Sequence, residues 1–395
     1  MSEWKEYKLG EIANIQTGPF GSQLHQSDYV DVGIPSIMPV NIGDRMNISI
    51  EKIVYITEED ATRLSRYRVQ EGDIVYSRRG DVEKCAYIGK AEIGWLCGTG
   101  CLRIRIDSSK ADSKFIAYYL STEDMKSWIS NNAVGTTMPN LNSSILQQVP
   151  LSMPSLDEQI RIASILSSLD DKIDLLNREN ATLEAMAETL FRQWFIEEAK
   201  EDWEEKSLLD CIKLIGGGTP KTSESNYWNG NVCWLSGGDI AGNHKRFACA
   251  SEKCISNEGL NNSSAKLLPE NAMVVSARGT VGKYCLLSKP MAFSQSNYGI
   301  LPIFENCYFF TYLLVAYHID ELQSAAYGSV FDTITTKTFG EVNVALPDNN
   351  YIISFEKEIE VIFQKMKYNQ KHILTLTRKR NLLLSKLMFN DKNIK

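Results

Sequence analysis

Residues 162 to 194 read IASILSSLDDKIDLLNRENATLEAMAETLFRQW. Sampled at alternating steps of four and three, this stretch gives Ile162, Leu166, Leu169, Ile173, Leu176, Asn180, Leu183, Ala187, Leu190 and Trp194, with a single polar position. The same rhythm recurs in Phe355, Ile359, Ile362, Met366, Asn369, Ile373, Leu376, Arg380, Leu383 and Leu387, with two polar positions. A period of 3.5 is that of a coiled-coil seam. Each seam follows a globular segment and opens after a proline, Pro154 or Pro347, with Ser155 or Asp348 placed as a possible cap. The reading predicts an α+β chain: two α/β domains separated by two long helices that pair as an antiparallel coiled coil, with a pseudo-twofold internal repeat.

Charge supports pairing of the two helices with each other. Residues 157–202 carry twelve acidic and five basic side chains, a net of −7, whereas residues 354–395 carry four acidic and ten basic, a net of +6. Complementary charge favours the mixed pair over self-pairing. With flush ends, the sixth position of the first seam faces the fifth of the second, which sets Asn180 opposite Asn369. A buried polar pair selects one alignment over its slips; the alternative is that either asparagine faces solvent. From Ile162 to Trp194 is 32 steps, about 48 Å, comparable to about 14 base pairs of DNA. Inserting one heptad into both helices is then expected to lengthen a preferred DNA spacer and leave the sequences on either side unchanged.

The globular segments repeat as well. At an offset of 199, Trp4 matches Trp203 and Leu9 matches Leu208, while Gly72 to Gly80 aligns with Asn271 to Gly279. By the proline before each helix the offset has become 193. Strands are predicted at Asp73 to Tyr76, Leu102 to Ile106 and Met273 to Val275, and helices around Ser113 to Trp128 and Phe309 to Gln323. The segments are then 1–153, 154–202 for the first helix, 203–347, and 348–395 for the second.

Composition limits the function classes. The 395 residues suffice for two or three domains, and 43% hydrophobic content is ordinary for a soluble protein. The longest apolar run, Cys307 to Tyr317, is about half of the roughly 20 residues that cross a bilayer. With no basic leader before an apolar stretch at Met1, a cytoplasmic location is expected. Nine cysteines include no Cys-x-x-Cys pair, so reduced thiols are expected rather than a disulfide framework or a zinc site. Neither Cys97 with Cys101 nor His244 with Cys249 and Cys254 has a ligand spacing typical of metal sites. The chain is acidic overall, at −7, so nucleic-acid binding must rest on local basic patches or on partner subunits.

Several motifs now converge. They are Trp4-x4-Leu9-Gly10-Glu11-Ile12, Gly72-Asp73-Ile74-Val75, Pro154-Ser155-Leu156-Asp157-Glu158-Gln159-x2-Ile162-Ala163, Leu169-Asp170-Asp171-Lys172-Ile173-Asp174, and Leu190-Phe191-x2-Trp194-Phe195. In this combination, over essentially its whole length, the chain resembles the specificity subunit of Type I restriction-modification enzymes. The second copy departs in having Tyr351-Ile352 where the first has Glu158-Gln159. The resemblance implies two target-recognition domains reading the halves of a split double-stranded DNA sequence. It also implies docking of two methyltransferase subunits on the helices, together with restriction and translocation subunits. The member itself is not a catalyst, and S-adenosylmethionine, ATP and magnesium would belong to those partners. An apolar platform including Phe191, Trp194 and Phe195 is expected to make the chain depend on partners.

The residues carry no competing chemistry. Asp-Pro-Pro-Tyr and Asn-Pro-Pro-Tyr are absent, and Gly216 to Thr222 only imitates a phosphate loop because proline stands where glycine must precede the lysine. Four histidines lack a neighbouring nucleophile motif. Base readout uses Arg on guanine and Asn or Gln on adenine. The candidates just past strands or in polar loops are Ser22, Gln23, Arg78, Arg79, Lys84, Thr136, Thr137 and Asn140 in the first copy. In the second they are Thr219, Lys221, Arg278, Lys283, Gln295, Asn297, Thr335, Thr336 and Lys337. Arg79 and Arg278 stand out because both copies keep an arginine before a glycine. Two other readings stay open: a protein-binding scaffold without DNA readout, and a nuclease or transferase with an unrecognised active site.

Overall fold

The computed structural model describes residues 4–135, 139–327 and 333–388. It divides into two compact units, Met1–Asp171 with Arg378–Lys395, and Lys172–Thr377. The long helices run Leu156–Arg192 and Asn349–Met388, so each unit holds one end of both.

In the first unit an antiparallel sheet orders Ala13–Thr17, Cys101–Ile106, Ile74–Ser77 and Cys85–Tyr87. A second sheet orders Tyr29–Val30, Val54–Ile56, Ile34–Ile37 and Leu96–Cys97, the last pair parallel. Lys5–Lys8 pairs antiparallel with Pro150–Met153, the strand that feeds the first long helix. The second unit repeats this plan. Ile212–Gly216, Asn297–Pro302, Met273–Ser276 and Tyr284–Leu287 form its antiparallel sheet, extended at the edge by Phe247–Ala248. Lys253–Ile255, Trp228–Leu235, Met291–Phe293 and Leu267–Leu268 form the other, again with a parallel pair, and Glu204–Ser207 pairs with Asn343–Leu346.

Both predicted domain helices are broken in two. The first is Ser113–Leu120 and Glu123–Asn132, because the Ser121 and Thr122 hydroxyls bond back to the carbonyls of Tyr118 and Tyr119, both at 2.8 Å, and end the helix. The second is Tyr308–Tyr317 and Ile319–Tyr327, interrupted at His318.

The seams pair as the register argument requires. In the second unit the Asn369 amide donates to the Asn180 oxygen at 3.0 Å, both side chains buried, and also to Glu179 at 3.0 Å. Beside this pair Ile173, Leu176, Ile373 and Leu376 form an apolar layer, and at the far end Trp194 packs on Phe355 with ring centroids 5.4 Å apart. In the first unit Ile162 and Leu166 share a core with Leu383 and Leu387. The charged seam position Arg380 meets Asp170 at 3.2 Å, and the same carboxylate accepts from the Tyr118 hydroxyl at 2.7 Å.

Helix entry differs between the copies. Gln159, buried, donates to the Pro154 carbonyl at 2.9 Å and accepts from Asp112 N at 3.0 Å, which ties the helix start to the cap of Ser113–Leu120. The second copy has Ile352, fully buried, at that position. One turn further on, Glu356 takes over by accepting from the backbone N–H groups of Phe309 and Phe310 at 3.1 and 2.7 Å. Orphan amides at a helix start favour such a carboxylate. Asp348 caps the second long helix, accepting from Asn350 N and Tyr351 N at 2.8 and 3.1 Å.

The expected apolar platform is a core instead. Phe191 and Phe195 are buried, and Trp194 half-buried, among Phe310, Phe355, Tyr351 and Trp203. Trp194 keeps its seam place against Phe355, and Phe195, in a π-helical turn at Gln193–Glu197, packs beside Phe191 in the core of the second unit.

Glu184 on the first long helix accepts from the Tyr312 hydroxyl at 2.8 Å, and burial raises its pKa from 4.5 to about 7. The folded chain therefore holds a proton that the unfolded chain has released, and stability contributed here falls as pH rises from 4.5 to about 7. Glu184→Gln keeps an acceptor for Tyr312 without the charge. It should flatten that slope and raise stability above neutrality by about 3 kcal/mol, as read from urea unfolding across a pH series.

Candidate nucleic-acid interface

The two arginine–glycine turns are built alike. After Ile74–Ser77, Gly80 adopts φ +75°, and after Met273–Ser276, Gly279 also adopts φ +75°. This is the left-handed region in which glycine is unstrained. In each turn the serine ending the strand donates its hydroxyl to the arginine carbonyl: Ser77 to Arg79 at 2.9 Å, and Ser276 to Arg278 at 3.2 Å. A backbone N–H from the following loop closes on the residue before each arginine, Leu141 N on Arg78 O at 2.8 Å and Ile334 N on Ala277 O at 3.2 Å. The construction leaves both Arg79 and Arg278 exposed at the end of a rigid central strand, where a forked donor is held by backbone and free at its tip.

In the first unit Arg78 lies over the Phe20 ring at 5.3 Å, and Phe20 is 52% exposed. Asn140 pairs through its backbone with Arg79 and with Val134, so Phe20, Arg78, Arg79 and Asn140 share one edge. The sequence reading missed Phe20; its signal was an exposed-type aromatic in the turn Gly18-Pro19-Phe20-Gly21. Other candidates serve the fold. Gln23 accepts from the Tyr67 hydroxyl at 2.8 Å and staples its loop. Lys84 is engaged by Asp44 and Asp81 at 3.0 and 3.1 Å, and these carboxylates hold its ammonium above its ordinary range. Ser22 is exposed on the opening loop. Thr136 and Thr137 lie outside the described residues.

In the second unit the Arg278 turn is tied to the turn carrying Gln295, since Ala277 N donates to Ser296 O at 3.0 Å. The glycine-rich turn packs on the same feature: Gly218 N donates to Phe293 O at 3.0 Å, and a Cβ at Gly217 would lie 2.1 Å from the Ser294 carbonyl oxygen. A Cβ at Gly18 would lie the same 2.1 Å from the equivalent Gly98 oxygen. No α-helix opens after Lys221, only a single 3-10 turn at Ser225–Tyr227 that leads into the strand Trp228–Leu235, so this is a tight turn and not a phosphate loop. Thr219 is half-buried; Lys221, Lys283, Gln295 and Thr336 are exposed. Asn297, 1% exposed, gives its amide to Ser294 at 2.6 Å and faces inward. Thr335 caps Thr336–Glu341 by accepting from Thr338 N, and Lys337 pairs with Glu341 at 3.4 Å. Among the described residues, no group of three or more His, Cys, Asp or Glu is placed to hold a metal, and no helix is long and apolar enough to cross a membrane.

A family model described as Type I restriction modification DNA specificity domain matches residues 1–185 and again 200–384. The specificity subunit of the Type I restriction enzyme HindI from Haemophilus influenzae is 23% identical over 469 residues, covering 98% of this chain and 99% of that protein. The MjaIX specificity subunit of Methanocaldococcus jannaschii is 23% identical over 416 residues, covering 99% and 94%. In fold, the crystal structure of the Type I restriction-modification S subunit from M. genitalium matches with a TM-score of 0.62 at 15% identity, covering 98% of this chain and 96% of that one.

Proposed function

The chain belongs to the Type I restriction-modification DNA specificity family, and from that premise we propose that it is the non-catalytic, DNA-reading subunit of such a complex. Its segments 1–153 and 203–347 each read one half of a split target. The observation that carries this is the pair of matching turns that present Arg79 and Arg278. Their surroundings differ: Phe20, Arg78 and Asn140 flank one, while the turn carrying Gln295 accompanies the other. Unequal surroundings read unequal half-sites. The long helices dock methyltransferase and restriction subunits, which bring S-adenosylmethionine, ATP and magnesium.

The test is methylome sequencing of a host expressing the methyltransferase with the wild-type chain, with Arg79→Ala or with Arg278→Ala. A forked arginine contact to guanine is worth about 1–3 kcal/mol of discrimination. Each variant should therefore relax one half of the motif and leave the other intact. Methylation that ignores this chain altogether, from a soluble and active complex, would favour a protein-binding scaffold.

A further inference from the structure

Outside the DNA-reading edge, the second unit holds a pair of cysteines directly opposite one another. Cys233 on Trp228–Leu235 is the antiparallel register partner of Cys254 on Lys253–Ile255, which is an edge strand. Directly opposed residues of such a pair have Cα atoms about 4.5–5.5 Å apart, inside the window a disulfide accepts. Both thiols belong to one apolar cluster and are hydrogen-bonding neighbours. Cys233 is buried and Cys254 half-buried, so a small oxidant reaches the adjoining pair from the Cys254 side.

We propose that Cys233 and Cys254 form a reversible, peroxide-driven disulfide that clasps the edge strand to its neighbour. The Cys233 thiolate attacks one peroxide oxygen; the O–O bond breaks, sulfenic acid forms, and hydroxide leaves to take up a proton as water. The Cys254 thiolate then attacks that sulfur; the S–S bond forms, the S–O bond breaks, and a second water departs. Two thiols are oxidised and one peroxide is reduced.

The surroundings suit this order. Burial pushes the Cys233 thiol up, but its hydrogen-bonding neighbours Ser251, Lys289 and Cys254, together with the Lys289 charge, outweigh it and leave it below its ordinary value. Lys289 is the donor with protons to spare, since the Ser251 hydroxyl donates to the Lys253 carbonyl at 2.7 Å. Cys254 is held up, by burial first and by the neighbouring Cys233 second.

The full chain would be treated with hydrogen peroxide, alkylated without reductant, digested and read by mass spectrometry. A linked Cys233–Cys254 peptide pair, lighter by two hydrogens and released by dithiothreitol, is expected. Cys254→Ser should instead leave a Cys233 sulfenic acid that dimedone traps, and Cys249→Ser should leave the link unchanged. Two cysteines alkylated separately in the peroxide-treated wild type, or a link that uses Cys249, would overturn the proposal.

Discussion

Asp73→Ala is expected to remove about 3–5 kcal/mol from the stability of the first unit, because it leaves a buried charge without its counterion. Asp73 is 1% exposed and receives both guanidinium arms of Arg105 at 2.7 Å. Arg103, 6% exposed, lies 4.0 Å away and spends its other nitrogens on the Arg66 and Arg68 carbonyls and on Gln16 at 2.7 Å. The second unit shows the alternative on the same strands. The position of Asp73 is Ala272, and by sheet register those of Arg103, Arg105 and Gln16 are Gly299, Leu301 and Ile215. Room left by Gly299 is filled by Leu268, whose methyl would stand 2.4 Å from a Cβ there. Urea unfolding of Asp73→Ala, compared with a variant that also replaces both arginines, separates the two contributions. If the single variant unfolds at the wild-type midpoint, the network does not hold this unit together.

Phe195→Ala should cost about 3–5 kcal/mol in the second unit, the range for truncating a buried aromatic. The ring stands 4.9 Å from Phe310, 4.9 Å from Phe355 and 5.0 Å from Phe191, centroid to centroid. Its removal opens a cavity among side chains drawn from both long helices and from Tyr308–Tyr317. Chemical denaturation of the full chain is the measurement. A midpoint unchanged from wild type, with association to a methyltransferase subunit lost, would return Phe195 to the role of a docking contact.

The helices were legible because a seam is a periodic property and the period survives in one dimension. Asn180 and Asn369 could be matched across 189 residues from the phase of two patterns alone. The duplicated plan was legible for the same reason, carried by the Ser77 and Ser276 strands and their glycines. What stayed hidden depends on the third dimension. Ser121 and Thr122 fit a helix interior until their hydroxyls turn back on the backbone. Gln23 and Asn297 carry the donor chemistry that reads a base, yet the same chemistry closes a turn, and burial decides between the two. Trp194 continues the helical rhythm and stays in the seam, whereas Phe195 stands off that rhythm and its burial depends on the wider π turn that holds it. Phe20 went unnoticed because it only gains meaning once Arg78 is laid across it.

The two interiors built on one sheet plan also constrain ancestry. If the copies arose from one parent, an interior resembling one was converted into the other, and the order of steps was not free. Losing the carboxylate first strands Arg103 in an enclosed site; losing the arginines first strands the carboxylate. Arg105, half-buried at the sheet's margin, is the residue whose loss harms least, so it is the natural first step in one direction and the last in the other. The network is thus inherited as a block, and homologous exchange that cuts between Asp73 and Arg103 yields chains with a mismatched interior, whichever DNA each half reads.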